Sequence, residues 1–132
     1  GAQGVERASG AYTFSVPTAQ LKTVFVLPEP SGRPGLAAVV LVGTSHPRDV
    51  DLSGLAVPVT KVVGTRDGLA SREEVEQNSS KLPRTTRWVW VEGGNHSQFG
   101  WYGFQPLDRF ATITPAAQRE LMLRAVLAAL KS

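Results

Sequence analysis

Two residues of this 132-residue chain stand where proton chemistry could be done. Asp67 follows the apolar run Val57-Pro-Val-Thr-Lys-Val-Val63 between Gly64 and Gly68, and His96 follows Trp88-Val-Trp-Val91 and the turn Gly93-Gly94-Asn95. An aspartate beside an imidazole accepts one ring N–H, leaves the other nitrogen basic, and stabilises the imidazolium that forms on proton uptake. The two lie 29 residues apart, room for one helix and one strand. A right-handed crossover of that kind returns the chain to the same edge of a sheet. Both side chains then emerge beyond the carboxyl ends of parallel strands, where reactive groups of open α/β sheets gather. Arg66-Asp67-Gly68 is also a common turn sequence, so Asp67 gains its interest from His96.

The elements that must position the pair can be read outward from it. Leu36–Val42 is a continuous apolar run ending at Gly43, as in a strand buried on both faces. Val57–Val63 and Thr86–Glu92 read as two more strands. Ser71 opens a helix, with Glu74 completing a capping box, that continues to Ser80 and is barred by Pro83. Thr114 caps a last helix with Pro115 in its first turn, and Leu123, Val126, Leu127 and Leu130 form its apolar stripe. Strands alternating with helices predict an α/β fold over residues 36–132. Residues 1–35 form a separate N-terminal segment with two short strands, Ala11–Val16 and Thr23–Leu27, and a turn from Pro28 to Gly35.

Composition narrows the function. The chain is 42% hydrophobic and 19% charged, which fits one globular unit, and it has no cysteine for a disulfide, a thiolate metal site or a thiol nucleophile. No apolar run approaches the ~18 residues of a membrane span. Gly1-Ala2-Gln3-Gly4 lacks a leader pattern, so a cytoplasmic location is expected. The net charge is +3, but the basic residues are scattered. The Lys81–Arg87 cluster carries no aromatic platform and reads as a solvated loop, so neither nucleic acid nor membrane is expected as a partner. His46, Asp49 and His96 match no ligand spacing, and no metal is expected. His46 reads as a surface loop residue and Asn95 as a stabiliser of the turn. Trp88 and Trp90 share one face of their strand and read as packing. Phe99, Trp101, Tyr102 and Phe104 are either a minor core under the loop or an apolar wall beside the base.

Val62-Val-Gly-Thr-Arg-Asp67-Gly68 and Trp90-Val-Glu-Gly-Gly-Asn-His96-Ser-Gln-Phe-Gly100 resemble the C-terminal part of an α/β-hydrolase. More narrowly, they are similar to short bacterial hydrolases of the dienelactone-hydrolase-like group. There the acid follows a G-x-x-D strand end and the base sits in a G-G-N-H-x-x-F-G loop. The resemblance covers residues 36–130. It implies a partial, mostly parallel sheet of hydrolase type with flanking helices, with Asp67 as triad acid and His96 as base. The implied activity is esterase-like: a Ser-His-Asp catalytic triad hydrolysing an ester or lactone bond in a small acyl substrate, without metal or organic cofactor.

The family's nucleophile is a serine in a G-x-S-x-G elbow, and no such motif occurs here. Gly43-Thr-Ser45-His-Pro47 comes nearest, but lacks the second glycine and opens no helix. Its strand also matches the one that follows the elbow. The chain is therefore expected to be a fragment, the C-terminal portion of a hydrolase, with the serine on another segment or chain and little activity alone. Recruitment of Ser45 and a non-catalytic α/β interaction module are the alternatives. The Leu36–Val42 strand would expose an edge in such a sheet. It is expected to be covered by the N-terminal segment, a second copy or a complementary polypeptide.

Overall fold

The computed structural model describes residues 5–8, 11–15, 23–28, 36–101 and 103–131, with side chains over 38–101 and 103–130. The residues expected as the N-terminal tetrapeptide, the strand end at Val16, the turn over 29–35 and Tyr102 lie outside the described residues. The strands are β1 (Val5–Ala8), β2 (Ala11–Ser15), β3 (Thr23–Pro28), β4 (Leu36–Val42), β5 (Val59–Gly64) and β6 (Arg87–Val91). They form one sheet in sequence order. Two helices follow the parallel strands, α1 (Arg72–Gln77) and α2 (Pro115–Lys131), with short 3-10 turns at Ser79–Lys81 and Ser97–Phe99.

The α/β class holds, and the parallel pairing lies in β4–β5–β6. β1 to β4 pair antiparallel. β2 and β3 fall where the two N-terminal strands are expected, and β1 adds a third. β3 runs along β4 from Thr23 opposite Val42 to Pro28 opposite Leu36, so the edge of β4 carries a backbone partner from the chain's own N-terminal segment.

Alternation along β4 to β6 divides the apolar side chains between two faces. Ala38, Val40, Val42, Val62 and Val91 face α2, joined by Ala125 and Ala129. Val39, Leu41, Val59 and Leu82 occupy the other face, with Leu55, Val57 and Trp88 packed on them. Trp90 stacks on Trp88 at 5.9 Å, and the Arg72 guanidinium of α1 lies 5.0 Å from the Trp90 ring centre, which puts α1 on this second face. Lys61 is buried here, between Leu41 and Trp88 in the register, and its ammonium donates to the carbonyl of His46. Burial pushes its pKa down from 10.5 to about 7.

The stripe expected on α2 is not the one that meets the sheet. The seam is Gln118, Met122, Ala125 and Ala129, spaced by four, three and four, with Val126 at its side. Leu123, Leu127 and Leu130 are 45–54% exposed. Hydropathy alone picks leucines, but alanines let the helix approach the sheet closely, and Gln118 ties its first turns to the loop after β6. Its cap is as expected, with Ala117 N–H donating to Thr114 Oγ1 at 3.1 Å. Ser71 likewise caps α1 by accepting from Glu74 N–H, although α1 ends at Gln77, and Ser79–Lys81 turns as 3-10 helix instead. Among the described residues no helix is long and apolar enough to cross a membrane.

Candidate active site

The site is built where β5 and β6 end side by side, Gly64 pairing with Val91. The turn after β5 and the turn after β6 are bonded to one another rather than merely adjacent. Thr65 N–H donates to Val91 O, Arg66 N–H to Gly94 O at 2.8 Å, and Gly93 N–H to Thr65 Oγ1 at 2.9 Å. This closeness requires Gly64: a Cβ there would lie 2.5 Å from Gly94 O. Gly93 adopts φ +79, a left-handed conformation that glycine tolerates without a Cβ clash.

On that rim Asp67 and His96 meet. Asp67 Oδ2 lies 3.0 Å from His96 Nδ1, and both side chains are buried. A carboxylate only accepts, so Nδ1 carries the hydrogen and Nε2 is the basic nitrogen. Asp67 is itself oriented by its own turn, its Oδ1 accepting from the N–H groups of Leu69 at 2.8 Å and Ala70 at 2.7 Å. One oxygen thus fixes the carboxylate and the other addresses the imidazole.

Around His96 the chain is held by three polar side chains, Asn95, which the sequence singled out, and Gln118 and Asp108, which it did not. Gln118, fully buried on α2, accepts from Asn95 N–H at 3.2 Å and donates to Asn95 O at 2.6 Å, matching that residue's backbone as a paired strand would. Asn95 serves the turn, donating to Arg109 O and accepting from Gln98 N–H. Asp108 accepts from Gly68, His96, Ser97 and Arg109 N–H groups and from the Ser97 hydroxyl. Burial pushes the Asp108 carboxyl up, but those donors outweigh it and hold it below the usual carboxylate value. Neither residue carries a motif; each is legible only once the loops are folded together.

The other sequence candidates separate. Ser45 is buried after β4, its hydroxyl accepting from Arg48 Nε at 2.8 Å and its carbonyl from Asn78 Nδ2, and no hydrogen bond joins it to His96 among the described residues. His46 lies half-buried in its loop, its carbonyl accepting from the Lys61 ammonium. The aromatic residues after His96 do not act as one group. Phe99 packs into the α2-facing core, whereas Trp101 is 77% exposed and Phe104 52%. Phe104 stacks on Phe110 at 5.0 Å, and the two line a cavity of about 290 Å³ with Asn95, Ser97 and Arg119.

A family model described as the alpha/beta hydrolase family matches residues 32–120, about two thirds of the chain, including both Asp67 and His96. The chain therefore belongs to the alpha/beta hydrolase family. Comparison with curated proteins and with solved structures gave no match.

Proposed function

We propose that this chain carries the acid–base half of a hydrolase site acting on ester or lactone bonds. In this reading His96 Nε2 takes the proton of a serine hydroxyl as its oxygen attacks the acyl carbon, then returns it to the departing alkoxide. Water repeats the exchange to free the acid. Asp67 keeps Nδ1 protonated and stabilises the imidazolium. The observation that carries this is the 3.0 Å bond between two buried groups at the ends of adjacent parallel strands. Family membership supports serine chemistry. The hydroxyls of Ser45 and Ser97 are held by Arg48 and Asp108, which supports a nucleophile supplied from outside this sequence, by a further segment or a second chain. The apolar Phe104–Phe110 wall suits a small acyl group.

Hydrolysis of a p-nitrophenyl ester, followed for the 132-residue chain and for a longer polypeptide or complex containing it, tests this. The chain alone is expected to turn over ester no faster than its His96→Ala form. The longer form is expected to lose turnover on His96→Ala and roughly 10⁴-fold on Asp67→Asn, the loss seen when a triad aspartate can no longer fix the tautomer. Turnover in the longer form that His96→Ala leaves unchanged would overturn the reading.

A further inference from the structure

We propose that Asp108 is a positioning residue, a carboxylate clamp that holds the turn of Asp67 against the loop of His96 so that their bond can form. The inference rests on the acid–base reading of the pair and adds to it a second carboxylate, which bonds to backbone and Ser97 rather than to the ring.

The geometry distinguishes a clamp from an ordinary turn stabiliser. A residue that only closed its own loop would be bonded within that loop, as Asp108 N–H is to Gln105 O. Of the five donors on the Asp108 side chain, only Arg109 N–H at 2.8 Å is local. Oδ1 also accepts from Gly68 N–H at 2.9 Å, 40 residues away beside the acid, and from His96 N–H at 3.3 Å. Oδ2 accepts from Ser97 N–H at 2.8 Å and Ser97 Oγ–H at 2.6 Å, beside the base. The residues flanking Asp67 and His96 are therefore joined through one group.

Two further features fit this assignment. A Cβ on Gly68 would lie 2.6 Å from Leu107 O and 2.9 Å from Asp108 Cα, so only glycine lets this segment rest on the acid's turn. Leu107, immediately before the clamp, holds φ +73 with its side chain 86% exposed. A non-glycine residue keeps such a conformation only when its surroundings over-determine it. The bonds that would do so here are those of the next residue. A carboxylate is the required group because all five partners are donors, whereas an amide would turn its NH₂ towards one set of them.

Solvent exchange of the His96 Nδ1 proton, observed by NMR of the imidazole in the 132-residue chain, reads the clamp directly. Asp108→Asn is expected to speed that exchange roughly tenfold or more, as when hydrogen bonds to a charged acceptor are lost from a closed loop. The amide signals of β4, β5 and α2 are expected to stay in place. Ser97→Ala, which removes one of the five donors together with the acceptor of Gln105 N–H, is expected to change it in the same direction by less, and it covers the case in which Asp108→Asn does not fold. Asp67→Asn serves as the reference for a broken pair. Exchange in Asp108→Asn, or in Ser97→Ala if only that variant folds, equal to the wild type while Asp67→Asn differs would overturn the clamp and leave the pair standing. Exchange in Asp67→Asn equal to the wild type would overturn the pair, and the clamp with it.

Discussion

Neighbouring strand ends of the same parallel sheet have been put to different uses. Beyond β5 and β6 every turn is tied to another turn, through Thr65, Gly93, Arg66, Gln118 and Asp108, and the ties converge on a buried aspartate–imidazole pair. Beyond β4 the chain runs through Gly43-Thr-Ser45-His-Pro47 to the opposite side, where its polar groups answer Arg48, Asn78 and Lys61 instead. Where the two regions meet, Gly43 lies against Phe99, and a Cβ added there would come within 3.7 Å of His96 Nδ1. Ser45 and His96 thus share no hydrogen bond among the described residues. What separates them is where the hydrogen bonds go.

The largest effect that sharpens this contrast belongs to the β4 side. Burial lowers the Lys61 pKa from 10.5 to about 7, so between those values the unfolded chain binds a proton that the folded chain does not. Stability is then expected to rise with pH by up to about 1.4 kcal/mol per unit over that window, and to be lost as pH falls towards 7. Denaturant titrations at several pH values check it. Lys61→Met is expected to remove the slope and raise stability at pH 7 without altering the His96 imidazole signals.

Next in size is a change that breaks the rim. Gly64→Ala places a methyl group against Gly94 O and is expected to cost about 2–3 kcal/mol, the range of an overpacked site. It should also disturb the Asp67–His96 bond, because the two turns can no longer approach. Gln118→Ala leaves the Asn95 backbone without its partner and is expected to cost about 1–3 kcal/mol. Thermal unfolding with an imidazole spectrum measures both consequences in each variant. Ser45→Ala should have the smallest effect, below about 1 kcal/mol, since one hydrogen bond to a half-buried arginine is lost. His96 should not notice it.

The legible and illegible parts of this molecule divide along physical lines. β4 was readable residue for residue because an unbroken apolar run between glycines and prolines has few other uses. Asp67 and His96 were readable because glycine-rich strand ends announce a turn, and a 29-residue separation announces a crossover. The seam of α2 was not, because closeness to the sheet favours alanine over leucine and hydropathy scores the reverse. Asp108 and Gln118 were invisible for a different reason. Most of their partners are backbone groups 11 to 40 residues away, and a backbone N–H has no letter in the sequence.

The role of His96 as a base turns on which of its ring nitrogens carries the hydrogen. Nitrogen-15 NMR of the neutral imidazole answers this without substrate or nucleophile. The wild type is expected to show a protonated Nδ1 and an unprotonated, basic Nε2, with that preference lost in Asp67→Asn. A neutral His96 protonated on Nε2, or one whose tautomer ignores Asp67→Asn, would contradict it.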